Sequence, residues 1–143
     1  MKLHYLFGLT ALFFYASANA CSCMDQHLPM AETFAKTDFI FSGKVIKKSR
    51  KWFSDYAVVE FQLNEVFKGE ANKRAFIKTG VSDGGCGFPF KKGEAYLVFA
   101  YAFSPIENST VPEYSTSICS LTKKLKLAEA DLKALQEIKS TAP

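Results

Sequence analysis

The chain has 143 residues, of which 48% are hydrophobic and 22% charged, with a formal net charge of +4. That composition excludes a disordered chain and fits a single globular domain. The charge excess is too small to argue for a nucleic-acid partner.

Residues 1–20 read as a secretory signal peptide. Lys2 supplies the positive start, residues 3–16 are mostly apolar, and Ala18 and Ala20 form an A-x-A cleavage signal just before Cys21. The apolar stretch is short for a membrane span. A retained anchor and a lipoprotein signal acylated at Cys21 are the competing readings. Lipoprotein signals usually place Leu three positions before the Cys, where this chain has Ala18. Cleavage leaves residues 21–143 as one domain, secreted or periplasmic, with no transmembrane segment. Without Lys2, 17 basic side chains stand against 14 acidic ones.

All four cysteines, Cys21, Cys23, Cys86 and Cys119, fall in that domain. An even count in an exported chain predicts two disulfides. A Cys21–Cys23 bridge would close a strained ring across one residue. The other two pairings both tie the start of the domain to two distant points. Cys-x-Cys can also hold a soft metal, but there is no second close pair, and His27 is the one His left after cleavage. No cofactor or resident metal is expected.

The body of the chain reads as follows. Residues 28–36 predict a short helix, with Pro29 in its first turn and Met30 and Phe34 on one face. Residues 39–48 predict a first strand with Phe39, Phe41, Gly43 and Val45 on one side, Gly43 marking a bulge or bend. A basic loop follows, holding Lys47, Lys48, Arg50 and Lys51. Its Trp52 and Phe53 are expected to lid the core, with a contact role as the alternative. Residues 56–67 and 74–79 predict the next two strands. Residues 80–87 form a glycine-rich loop around Cys86 with no phosphate-binding pattern; its glycines are expected to let backbone pass close to a disulfide. Residues 94–103 predict a fourth strand, and residues 114–121 a fifth that contains Cys119. Asn108 opens an acceptor triplet that would be glycosylated only in a eukaryotic source. Residues 124–139 predict a helix with a stripe of Leu125, Ala128, Leu132, Leu135 and Ile138, expected to close one end of a barrel. The sum is a β-rich α+β domain: a five-stranded Greek-key barrel of the OB type, with a short N-terminal helix and a C-terminal helix.

Several pieces together resemble a known family. Cys21-Ser22-Cys23 at the mature start is similar to the Cys-x-Cys opening of the tissue inhibitors of metalloproteinases and the wider netrin-like module. The likeness continues through Phe39-Ile40-Phe41, Gly43-Lys44-Val45, Val66-Phe67-Lys68-Gly69, Cys86-Gly87-Phe88, Glu94-Ala95-Tyr96-Leu97-Val98 and Cys119-Ser120. It spans nearly all of residues 21–143 in order. The family fold is an OB-like barrel, and its pairing would join Cys21 to Cys86 and Cys23 to Cys119. No Cys lies between Met24 and Lys36, so the inhibitors' third bridge is missing, and their C-terminal domain has no counterpart. The resemblance therefore implies a minimal single-domain version, bacterial sources included.

It also implies a mechanism. The amine and carbonyl of the first residue, Cys21, would chelate the catalytic zinc of a target metalloprotease. Ser22 would enter the pocket beside that zinc, a disulfide at Cys21 would hold the wedge rigid, Cys23 would belong to the protease-binding set, and Met24 with Gly84, Gly85, Cys86 and Gly87 would flank the wedge. The alternative is a non-inhibitory extracellular or periplasmic module that binds a protein, a glycan or a membrane surface through the barrel surface or the Lys47–Lys51 loop. An enzyme is not expected, since no nucleophile–base pattern is present. Glu60, Glu65 and Glu94 read as solvated strand faces.

Overall fold

The computed structural model describes residues 21–23, 28–70, 72–81, 85–103 and 113–141. The expected signal peptide, Met24, Gly84 and Asn108 lie outside the described residues.

In chain order the elements are helix α1 (Met30–Lys36), β1 (Phe39–Ser49), β2 (Tyr56–Lys68), β3 (Arg74–Gly80), β4 (Ala95–Phe103), β5 (Glu113–Ser115), β6 (Lys123–Lys124), a 3-10 turn at Leu125–Leu127, and helix α2 (Glu129–Thr141). Five strands close into a barrel. β1 pairs with β2 on one side and β4 on the other, β2 with β3, and β4 with β5. The ring is completed by a parallel pairing of β3 with β5, and β6 extends β4. β1 uses both of its edges, and it bends as the ring closes. Its register against β2 shifts at three places, one of them between Ser42 and Gly43. A Cβ on Gly43 would sit 2.9 Å from the Gln62 carbonyl oxygen, so the bulge expected there also needs the missing side chain.

The alternation of β1 sends its side chains to two separate cores. Phe39, Phe41 and Val45 point into the barrel with Phe61, Ile77, Phe90, Tyr96 and Val98. Aromatic rings meet edge-on through this interior: Phe41 with Phe61 at 5.3 Å, Phe61 with Phe90 at 5.1 Å, and Phe90 with Tyr96 at 5.0 Å. Ile40 points the other way. It joins Phe67, Leu97, Phe99, Ala128 and Leu135, with Met30, Phe34 and Leu132 packed against them. This second core explains why β4 is buried without a break from Tyr96 to Ala100: one face fills the barrel and the other lies under the helices.

Helix α2 does not fill the barrel interior; Leu135 and Leu132 join a separate core with Ile40 of β1, Phe67 of β2 and Leu97 and Phe99 of β4, beside α1. Two expectations are corrected here. Helix α2 starts later than residue 124, after the 3-10 turn. Ala128, fully buried at that junction, has no side chain with which to cap the helix, and Leu132 donates to its carbonyl at 2.8 Å. The fifth strand stops at Ser115 rather than running to 121. Beyond it the Thr116 hydroxyl donates to the Phe99 carbonyl (2.8 Å), and Phe99 N–H donates to the Thr122 hydroxyl (3.0 Å). Side-chain oxygens thus take the backbone groups that a longer strand would have used. Cys119 consequently lies on a turn. Among the described residues no helix is long and apolar enough to cross a membrane.

Candidate functional site

The site grows from the end of β3. Gly80 closes that strand, and the chain returns so that residues 85–87 lie against it. A Cβ on Gly80 would be 2.1 Å from the Gly85 carbonyl oxygen, and one on Gly87 would be 1.8 Å from the Gly80 carbonyl oxygen. Only glycine at both positions permits that backbone contact. Cys86 sits between, with φ of 51°, the one non-glycine residue in the left-handed region among the described residues. Phe88 N–H donates to the Thr79 hydroxyl at 2.7 Å and fixes the loop's exit.

The turn after β5 joins this loop. Thr116 N–H donates to the Lys78 carbonyl and Ile118 N–H to the Cys86 carbonyl, both at 2.9 Å. Ser120 N–H donates to the Ser117 carbonyl, and Cys119 N–H to the Ser117 hydroxyl at 3.2 Å. Two loops from different strands therefore form one hydrogen-bonded ledge, and each offers one cysteine.

The tripeptide 21–23 is bolted to that ledge. Cys21 is joined to Cys86, with Cα atoms 5.6 Å apart, and Cys23 to Cys119, with Cα atoms 5.1 Å apart. Of the two pairings that counting leaves open, this is the one implied by the resemblance. Ser22 lies exposed between the two half-buried cystines. All four sulfurs are consumed as disulfides, so no thiolate remains to ligate a metal.

Of the residues singled out in the sequence, Cys21, Ser22, Cys23, Gly85, Cys86, Gly87 and Cys119 are brought to this ridge; Met24 is outside the described residues. The sequence reading missed Ile118, which is 43% exposed beside Cys119 and would have been one strand residue among others had the fifth strand continued. It also missed Lys78. This lysine is hydrogen-bonded to Glu113, which holds its pKa above the usual value against the opposing effect of burial. Its ammonium lies 4.6 Å from the Tyr56 ring centroid and 5.8 Å from that of Phe103. A hollow of about 320 Å³ next to the ridge is lined by Tyr56, Lys78, Gly80, Gly85, Tyr101 and Phe103.

The three glutamates read as solvated strand faces are dispersed and paired. Glu60 meets Arg74 at 2.7 Å, Glu65 meets Lys139 at 3.7 Å, and Glu94 meets Lys124 at 2.9 Å. Hydrogen bonds from Lys124 and then Tyr96 hold the Glu94 carboxyl below its ordinary pKa. Trp52 and Phe53 do not lid the core. They are 83% and 92% exposed at the β1–β2 tip, beyond the exposed end of β1. Comparison of the sequence with protein-family models and with curated proteins gave no match.

Proposed function

We propose that this protein is an exported metalloendopeptidase inhibitor, a minimal relative of the netrin-like inhibitors whose wedge is Cys21-Ser22-Cys23. One observation carries the reading: the tripeptide is held at both cysteines to a single hydrogen-bonded ledge, and Ser22 alone projects between the bridges. The strand order β1-β2-β3-β5-β4, closed back onto β1 with β3 and β5 parallel, supports an OB-type Greek-key barrel as the scaffold. Two disulfides support an oxidising, secreted or periplasmic location.

The mechanism needs residues 1–20 removed, so that Cys21 has a free amine. An α-amine titrates near pH 8 (~7.7–8.0), so giving up its proton to a metal at neutral pH is cheap. Amine nitrogen and carbonyl oxygen of one residue form a five-membered chelate. Placed on a protease's catalytic zinc, that chelate would displace the water the enzyme needs for hydrolysis. The two bridges fix the wedge before binding, which lowers the ordering entropy lost on association. The protein itself performs no catalysis in this account.

Ser22 then sets selectivity. A serine buries little apolar area, whereas a leucine gains about 1.5–3 kcal/mol when fully buried. Ser22→Leu is therefore expected to tighten inhibition of enzymes with a deep apolar pocket by roughly tenfold to a hundredfold. Inhibition constants against a panel of zinc endopeptidases check this. An inhibited enzyme whose constant ignores position 22 would show that Ser22 does not enter the pocket.

A further inference from the structure

We infer that the β1–β2 hairpin tip is a docking site for an anionic lipid bilayer surface. The inference is independent of protease inhibition.

The tip is preformed. Ser54 N–H donates to the Lys51 carbonyl at 3.0 Å, closing a turn that places Trp52 and Phe53 at its apex. Arg50 Nε donates to the Ser54 carbonyl at 3.0 Å, and Tyr56 N–H to the Ser54 hydroxyl at 3.3 Å. The two rings stand edge-to-face, 6.1 Å apart at 84°, and are the two most exposed large apolar side chains of the described residues. They touch no core, so folding gives no account of them. A Trp–Phe pair on a convex apex suits the boundary of headgroups and acyl chains, where an indole finds apolar and polar surroundings at once.

Charge chooses the bilayer over a protein partner. Lys47, Lys48, Arg50 and Lys51 are all exposed around the apex, against Asp55 as the one acidic residue of segment 47–55. That segment, residues 47–55, carries +3, which equals the net charge of the whole of residues 21–143. Glu60, across from Lys47, is already engaged by Arg74. Lysine is depleted from the centres of protein interfaces, whereas a basic collar is attracted to anionic headgroups. The tip also lies at the ridge end of the barrel: Tyr56 pairs with Gly80, and Val81 N–H donates to the Asp55 carbonyl. Docking would hold the Cys21–Cys23 ridge close to the membrane.

Trp52 is the chain's only tryptophan, so its fluorescence reports on the tip directly. The exported protein is titrated with vesicles of equal parts phosphatidylglycerol and phosphatidylcholine, and separately with pure phosphatidylcholine. The expected result is a saturable blue shift on the anionic vesicles, weakened by salt. Phe53→Ser, read by fluorescence, and the Lys47→Glu/Lys48→Glu pair should each weaken binding by about tenfold or more. Trp52→Ser, read by co-sedimentation, should do the same. Circular dichroism checks that these exposed-site variants fold. An unmoved spectrum on anionic vesicles overturns the inference, and so does equal binding to pure phosphatidylcholine or undiminished binding by the variants. A shift produced by a protease and not by vesicles would reassign the tip to protein contact.

Discussion

Replacing Cys23 and Cys119 together by serine is expected to lower the unfolding free energy by about 4 kcal/mol. The two residues are 96 apart in sequence, but with Cys21–Cys86 intact the loop their bridge closes runs only through residues 21–23 and 86–119. Domains of this size have roughly 5–15 kcal/mol in total, so this is a large share of the stability. Removing the Cys21–Cys86 bridge instead should cost about as much, because the loop it closes beside the other bridge runs through the same residues. Mutating both partners leaves no stray thiol to mispair. Urea unfolding of the double variant and the parent gives the difference. A loss of under about 1 kcal/mol would mean that the unfolded chain is already compact, or that the bridge strains the fold. The same variant should inhibit poorly even where it stays folded, because the wedge would be held at one end only.

Gly87→Ala is expected to destabilise by about 3 kcal/mol or more. Its new Cβ would sit 1.8 Å from the Gly80 carbonyl oxygen and 2.4 Å from the carbon, and neither atom belongs to a side chain that can turn away. The loop would have to leave β3, taking Cys86 and its partner Cys21 with it. Gly93→Ala is the control. Among the described residues nothing lies within 4 Å of a Cβ there, and only its φ of +83° is unfavourable. That conformation should cost about 1–2 kcal/mol. Thermal or urea unfolding separates the two; equal losses would show that the Gly80–Gly87 contact relaxes easily.

The strands were legible because their alternation is set locally. Phe39, Phe41 and Val45 on one side of β1, and the unbroken apolar run of β4, announced themselves in residue order. What depended on distant partners was not legible. The fifth strand ends at Ser115 because Thr116 and Thr122 turn to Phe99, a residue on another strand. The stripe of α2 shows that a face is buried, not which surface buries it. Trp52 and Phe53 carried no period, so hydrophobicity alone suggested burial. At the ridge, cysteine counting left two pairings open, and the family likeness pointed to the one observed. The glycine contact beneath it is a nonlocal backbone approach, of which the sequence carried only the glycines. Lys78 and Glu113 meet across a parallel strand pair that no spacing rule could bring together.

The most direct test compares three forms of the protein against one inhibited zinc endopeptidase: chain beginning at Cys21, the same chain with Ala20 retained, and the Cys21 chain acetylated at its amine. Intact mass establishes each terminus first. The chelation account predicts inhibition by the first form and none by the other two, since extension or acetylation turns the amine into an amide that no longer binds zinc. Equal inhibition by all three forms would contradict it and move the function away from the Cys21 amine.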